Sequence, residues 1–239
     1  MINIRQQKIL AAVIKEHVDT AEPVSSGILV EKYNLRVSPA TIRTDMKELE
    51  KEGYLFQPHT SAGRIPTDKG YRFFIDSLMK SRELTIREQD VLRQNFSRGK
   101  ELDYLMQKAA NLLADLSSNF AISSLISLDE PEVFKAGIGR LLREPEFGDS
   151  EYLSQTTQIL DYLDRNIEEL FDIVRDETVG VYIGKENPIK QMRGLSMIVS
   201  GQKLKSGNRG LIAILGPQRM KYDRNIALIE YMRNLLDNF

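Results

Sequence analysis

The stretch "VSPATIRTDMKELEKEGYLFQPHTSAGRIPTDKGYRFF", Val37 to Phe74, constrains the fold more than any other part of the chain. Ser38 followed by Pro39 is a helix start. A serine side chain accepts one of the orphan N–H groups of the first turn, and proline at the first helical position gives up no hydrogen bond the helix needs. Ile42, Met46, Leu49 and Tyr54 recur at helical spacing as an inner stripe, and Gly53 supplies the left-handed residue that stops a helix. A Pro/Gly/Thr/Ser-rich segment follows at once, and its tip, "HTSA", has nothing to bury. Thr67 then caps another helix carrying Tyr71, Phe74, Ile75 and Leu78.

Upstream, residues 3–19 place Ile9, Leu10, Val13, Ile14 and His17 on one helical face. Pro23 breaks that pattern, Ser25 caps a second helix over Ser26–Tyr33, and "NLRV" is a short turn. Helix, helix, four-residue turn and helix is the helix-turn-helix arrangement, with Ser38–Glu52 in the recognition position. "YLFQP" and "GRIPT" read as two short strands around "HTSA", a β-hairpin attached directly to the recognition helix as a wing.

Residues 80–100 are charged and loosely patterned, as in a linker. Residues 101–117 carry an apolar stripe from Leu102 through Leu105, Met106, Ala109, Leu112, Leu113 and Leu116, fitting either a domain core or a helix–helix dimer seam. "NFAISSLISLDEP" suggests one strand and 151–176 one long helix. "VGVYIG", "LSMIVSG" and "GNRG" joined to "LIAILG" give further strands before a last helix at about Tyr222–Leu236. The carboxyl part is therefore expected to be a small α+β domain with three or four antiparallel strands.

The chemistry legible in these residues is recognition of double-stranded DNA. The outer face of the third helix presents Ser38, Ala40, Thr41, Arg43, Thr44 and Lys47: hydroxyls for phosphates, an arginine able to fork onto guanine, and small groups for thymine methyls. Glu48, Glu50 and Glu52 come later along the helix. His59, Thr60, Ser61 and Arg64 make a polar, cationic hairpin tip suited to a phosphate or the minor groove. The formal net charge is −1, and residues 1–80 hold 12 Lys and Arg against 10 Asp and Glu, so a DNA surface has to be a local patch. With no Cys and only two His, the usual nucleophile–base pairs and His-based metal clusters cannot be assembled, so neither an enzyme nor a cofactor is expected. Acidic residues such as Asp161, Asp164, Glu168 and Glu169 read as a solvated helix face. "GIGR" at Gly137–Arg140 lacks the setting of a nucleotide loop. No apolar run approaches the roughly 18 residues of a membrane helix, and the amino end lacks a secretory layout. A cytoplasmic protein with no membrane partner is expected.

The run "SPATIR", the block "GYL.QPHTSAGR.PTDKGYR" and the earlier "EPV.S" together resemble the amino-terminal block of the HrcA family of heat-inducible transcription repressors. "IGKENP" and "GLIAILGPQRMKY" near the end, with "LLREPEF" as a shorter echo, resemble the family's GAF-like domain. Direct resemblance covers about Ile4–Asp76 and Val179–Leu236. It implies an α+β architecture: a winged helix-turn-helix at 1–79, a linker at 80–100, and a reduced GAF-like regulatory and dimerisation domain at 101–239 with a small antiparallel sheet. It also implies a homodimer on an inverted-repeat operator, CIRCE, controlling chaperone operons, with the chaperonin GroEL supporting the active form. Carried over by position, Ser38, Thr41, Arg43, Thr44 and Lys47 face DNA, and His59–Arg64 form the wing. The chain departs from the family pattern at Thr44, usually Asn, and at Ser25-Ser26, usually "GS". Between about Ser127 and Val133 it lacks further strands and an inserted dimerisation subdomain. Three rival readings remain: a metabolite-responsive regulator, a GAF-type redox enzyme with a DNA-binding appendage, and a scaffold that contacts proteins through its winged helix.

Overall fold

Four helices near the amino end begin on side chains that close their first turns. Asn3 and Gln6 form a reciprocal capping box ahead of α1 (Ile4–Thr20). Ser25 caps α2 (Ser26–Tyr33), Ser38 caps α3 (Pro39–Lys51), and Thr67 caps α4 (Asp68–Phe73). A wider, π-type turn over Phe74–Leu78 continues α4. The structure is a computed structural model that describes residues 2–96, 101–126, 131–147, 158–163, 165–174 and 178–239. The chain divides into two units, Met1–Lys80 and Ser81–Phe239.

In the first unit, Ile9, Leu10, Val13 and Ile14 of α1 are buried together with Leu29 of α2 and Ile42, Met46 and Leu49 of α3. Each such side chain is worth about 1.5–3 kcal/mol when fully buried, so the three helices hold one another in register through that shared core. Gly53, at φ 77, turns the chain out of α3 into β1 (Leu55–Phe56), which pairs antiparallel with β2 (Ile65–Pro66). An isolated bridge between Val24 and Arg64 adds a third segment to this ribbon. The expected order of helices and hairpin is observed.

The second unit is built on a five-stranded, wholly antiparallel sheet in the order β4-β3-β7-β6-β5. Its strands are β3 (Phe120–Ile126), β4 (Pro131–Ala136), β5 (Val179–Ile183), β6 (Ser196–Lys203) and β7 (Arg209–Gly216). The sequence reading gave three or four strands. The one it missed is β4, an edge strand that begins on a proline and carries Glu132 and Lys135 where a core strand would be apolar. Ile126 lies opposite Pro131 at the open end of the β3–β4 pair.

Helices cover both faces of the sheet. On one side lie α5 (Ile86–Asn95), α6 (Leu102–Ser117) and the last helix, which takes the label α9 (Tyr222–Leu236). Ser123 donates to the carbonyl of Met106 in α6, and Ser196 meets the phenol of Tyr222 in α9, which identifies the face. On the other side Phe120, Ile122, Val199, Leu211, Ala213 and Leu215 pack with Ile159, Leu163, Ile167, Leu170 and Phe171. The elements there are α7 (Ile138–Leu141), a helical stretch at 158–163 and α8 (Ile167–Ile173).

Two sequence expectations change, and one left open is decided. The apolar stripe of α6 is core of its own chain: Leu105, Met106, Ala109, Leu112 and Leu113 are buried. Residues 80–100 contain α5, whose Leu92 is fully buried and whose Glu88 accepts from Thr85 and Arg224. The single long helix at 151–176 is interrupted. Asn166, at φ −135, turns both its backbone N–H and its side-chain amide onto the Tyr162 carbonyl, closing one helix before α8 begins. The parts of that expected helix at 151–157, 164, 175 and 176 lie outside the described residues, as does the 127–130 part of the strand expected in "NFAISSLISLDEP".

Candidate nucleic-acid interface

The inner face of α3 is bolted to α1. Besides Ile42, Met46 and Leu49, Asp45 is buried and receives two hydrogen bonds from the Arg5 guanidinium, at 2.7 and 3.1 Å, while Glu48 accepts from Gln6. Those hydrogen bonds, and the Asp45 charge, hold Arg5 above its ordinary pKa. Glu50 is taken by Arg64. Three of the four acids of this helix, counting its cap Glu52, are therefore turned to partners behind it.

What remains outside is a cationic stripe. Ala40, Arg43, Thr44 and Lys47 recur at helical spacing, all exposed, and Arg43, Lys47 and the exposed Lys51 have no ion pair among the described residues. At the amino end, the Ser38 hydroxyl accepts from the Thr41 N–H at 3.1 Å and meets the Thr41 hydroxyl at 2.9 Å. Thr44 donates its hydroxyl to the Ala40 carbonyl at 3.2 Å, leaving its lone pairs outward. The helix thus offers positive charge and hydroxyl oxygens along one exposed face.

The wing is a small, internally braced loop. The Ala62 N–H donates to the His59 carbonyl, and Gln57 reaches under the tip to donate to the carbonyls of Thr60 and Ala62, at 3.1 and 2.8 Å. His59 Nδ1 lies 3.1 Å from the Ser61 hydroxyl. His59, Thr60 and Ser61 are exposed, as expected of a tip.

Arg64 is placed differently from the other expected site residues. Only 7% of it is exposed, its Nε donates to Glu50 at 2.9 Å, and its backbone exchanges two hydrogen bonds with Val24, at 2.9 and 3.0 Å. It ties the wing to the carboxyl end of α3 and to the entry of α2. Next to it, a Cβ on Gly63 would sit 2.5 Å from the backbone of Val24, so the hairpin closes on the segment ahead of α2 only because this residue has no side chain. Gln57 and Val24 were missed by the sequence reading. The "QP" ahead of the tip and the extended residue after Pro23 were the available signals.

Comparison with known proteins supplies the family. The family described as "HrcA protein C terminal domain" matches residues 72–226, well over half of the chain. The chain belongs to the HrcA family. A curated relative from Gloeobacter violaceus, a "Heat-inducible transcription repressor HrcA", is 28% identical over 328 aligned positions covering 96% of this chain and 91% of the relative. Another of the same description, from Symbiobacterium thermophilum, is 50% identical over 125 residues, 52% of this chain and 37% of the relative. A solved structure described as "Crystal structure of a hypothetical protein at 2.2 A resolution" shares the fold with a TM-score of 0.78 at 23% identity, covering 99% of this chain and 97% of that one. No helix among the described residues is long and apolar enough to cross a membrane.

Two segments through which the HrcA resemblance was read, "LLREPEF" and "GPQRMKY", meet in space. Arg219 of the second donates to both Glu144 and Glu146 of the first. Burial alone would lower the Arg219 pKa, but the hydrogen bonds and charges of Glu146 and Glu144 hold it above its ordinary value. In this HrcA chain the pair of motifs is one clamp, closing the segment after α7 onto the loop that leads into α9.

Proposed function

We propose that this chain is a sequence-specific repressor of chaperone operons that binds an inverted-repeat, CIRCE-type operator as a homodimer, with its activity linked to the chaperonin GroEL. Residues 1–79 read the operator and 101–239 form the regulatory and dimerisation part. The observation that carries this reading is the outward stripe of α3, free of ion pairs among the described residues while most of the helix's acids are engaged behind it. Arg43 forks onto a guanine edge, Thr44 and Lys47 border it, and the Ser38–Thr41 hydroxyl pair takes a backbone phosphate. His59, Thr60 and Ser61 reach the adjacent backbone or minor groove from the wing, and Arg64 supports them from behind. The relatives' description as heat-inducible transcription repressors supports the same reading and points to a regulator rather than an enzyme.

The test is a footprint and mobility-shift titration of the full chain on its own upstream region, with and without chaperonin. The expected result is a protected inverted repeat, bound with an affinity that falls steeply as salt rises. Arg43→Ala should relax base preference at one position per half-site, with a loss of about 1–3 kcal/mol there. Equal affinity for the operator and a scrambled duplex at matched salt overturns the proposal. An unchanged footprint in the presence of chaperonin removes the chaperonin link alone.

A further inference from the structure

The turn between α2 and α3 contains two residues with positive φ, Asn34 at 42 and Arg36 at 53. Asparagine visits the left-handed region readily, because its short polar side chain bonds locally to the backbone. Arginine brings no such compensation, since its Cβ crowds the following carbonyl and its guanidinium sits too far out to bond its own turn. Ala21 and Ser118 also have positive φ, but each closes a helix end by donating its N–H to a carbonyl of the last turn, whereas left-handed residues without such a role cluster at ligand sites. Arg36 returns nothing to the folded chain that can be seen: it is exposed, and it has no ion pair or hydrogen bond from its side chain among the described residues. The neighbouring cation in α2 shows the contrast, since Lys32 bonds to the buried Glu16. Two residues beyond Arg36 lies Ser38, where the exposed hydroxyl pair and then Arg43 and Lys47 begin.

We infer that Arg36 is a DNA-phosphate contact held in a left-handed turn at the expense of fold stability, extending the cationic stripe of α3 backwards along one strand of the duplex. This rests on the DNA-binding reading above. A guanidinium on phosphate carries no sequence information, so its effect is uniform across sequences and salt-dependent. The same residue therefore has opposite effects on the two measurable quantities: removing it frees the backbone and weakens the complex.

The experiment compares the full-length chain with Arg36→Gly, Arg36→Asn and Arg36→Lys by calorimetry and by titration of operator and scrambled duplexes over a range of salt. Gly and Asn accept the left-handed region without a charge, and Lys keeps the charge with no backbone relief. Arg36→Gly and Arg36→Asn should raise Tm by about 2–6 °C. They should lower affinity for both duplexes by the same factor, about 5–20-fold near physiological salt, and reduce the slope of log K against log salt by about 0.9 per half-site. Arg36→Lys should retain most of the affinity and gain no stability. Wild-type affinity and salt slope in the Gly and Asn variants overturn this inference while leaving operator binding intact. Weaker binding without a rise in Tm overturns the trade between stability and contact. A wild-type chain that retards no duplex overturns this inference together with the function it rests on.

Discussion

Gly63→Ala tests whether the wing is held where it is by backbone contact. The added Cβ would lie 2.5 Å from both the carbonyl carbon and oxygen of Val24 and 2.7 Å from the carbonyl carbon of Pro23. Ordinary contact begins near 3.4 Å, so the hairpin must back away by about 1 Å, and because every atom met is main chain, no side-chain tip can give instead. A shift of that size carries the two Val24–Arg64 hydrogen bonds, now 2.9 and 3.0 Å, beyond bonding distance. Val24 and Arg64 are both buried, so two hydrogen bonds are lost at about 1–1.5 kcal/mol each. The reduced entropy of the unfolded chain returns about 0.4–1 kcal/mol, and the balance is about 1–2.5 kcal/mol. Since 1.4 kcal/mol is tenfold, protection of the Val24 and Arg64 amides against hydrogen exchange should fall by about 5–70-fold. Amides in the middle of α1 should keep their rates. DNA affinity should fall as well, because the wing and the end of α3 move apart. Gly27→Ala is the control of opposite sign: its Cβ would meet only the Ser25 hydroxyl, at 3.7 Å, inside helix α2, so it should be neutral or stabilising. Unchanged exchange at Val24 and Arg64 in Gly63→Ala would refute the steric argument.

Three further outcomes follow from other parts of the molecule. Asn187 donates its amide to the carbonyls of Gly184, Met192 and Leu195, so Asn187→Asp sets a carboxylate oxygen among three acceptors; a loss of about 3–5 kcal/mol should appear as a lower urea midpoint, and an unmoved midpoint would contradict it. The Tyr222 phenol donates to the Gln218 carbonyl, so the buried Ser196 hydroxyl must donate to it; Tyr222→Phe should cost about 1–2 kcal/mol, and less than additively with Ser196→Ala, whereas strict additivity would show that the two hydroxyls are not coupled. Tyr33 is pushed up to about 12 by burial and then by its hydrogen bond to Glu16. Folding thus favours its neutral form: the associated stability is intact below about pH 10 and is lost as pH rises towards 12. Phenolate absorbance of the wild type minus Tyr33→Phe should show that late titration, and Glu16→Gln should bring it earlier; a difference curve centred near pH 10 would refute the burial argument.

Local chemistry made the helix ends readable in the sequence. Ser25, Ser38 and Thr67 signal their caps within three residues, and α2 has the bounds expected of it. The sheet was less legible. β4 was missed because an edge strand with Glu132 and Lys135 lacks the apolar run of β6 or β7, and it becomes a strand only by pairing with β3. The break at Asn166 was hidden because apolar residues keep helical spacing on both sides of it. In the candidate interface, the outward face of α3 followed from periodicity. Arg64 did not, since a sequence gives a charge but not its partner, and Glu50 lies fourteen positions earlier across the hairpin. Arg36 was invisible for a different reason: what singles it out is a backbone angle, and residue type alone argues against that angle.

The pairing of Ile126 with Pro131 has a consequence for how chains of this family differ in length. Strand ends held side by side form a port. Whatever the chain does between them, it leaves and returns at one point, and the register of all five strands is untouched. Closing a longer excursion there costs only about 0.6 kcal/mol for each doubling of its length. The alignment with the Gloeobacter violaceus relative runs over more positions than this chain has residues, while still covering nearly all of both. A sheet with such a port can take a longer segment between two neighbouring strands while its own pairing and the Arg219 clamp stay as they are.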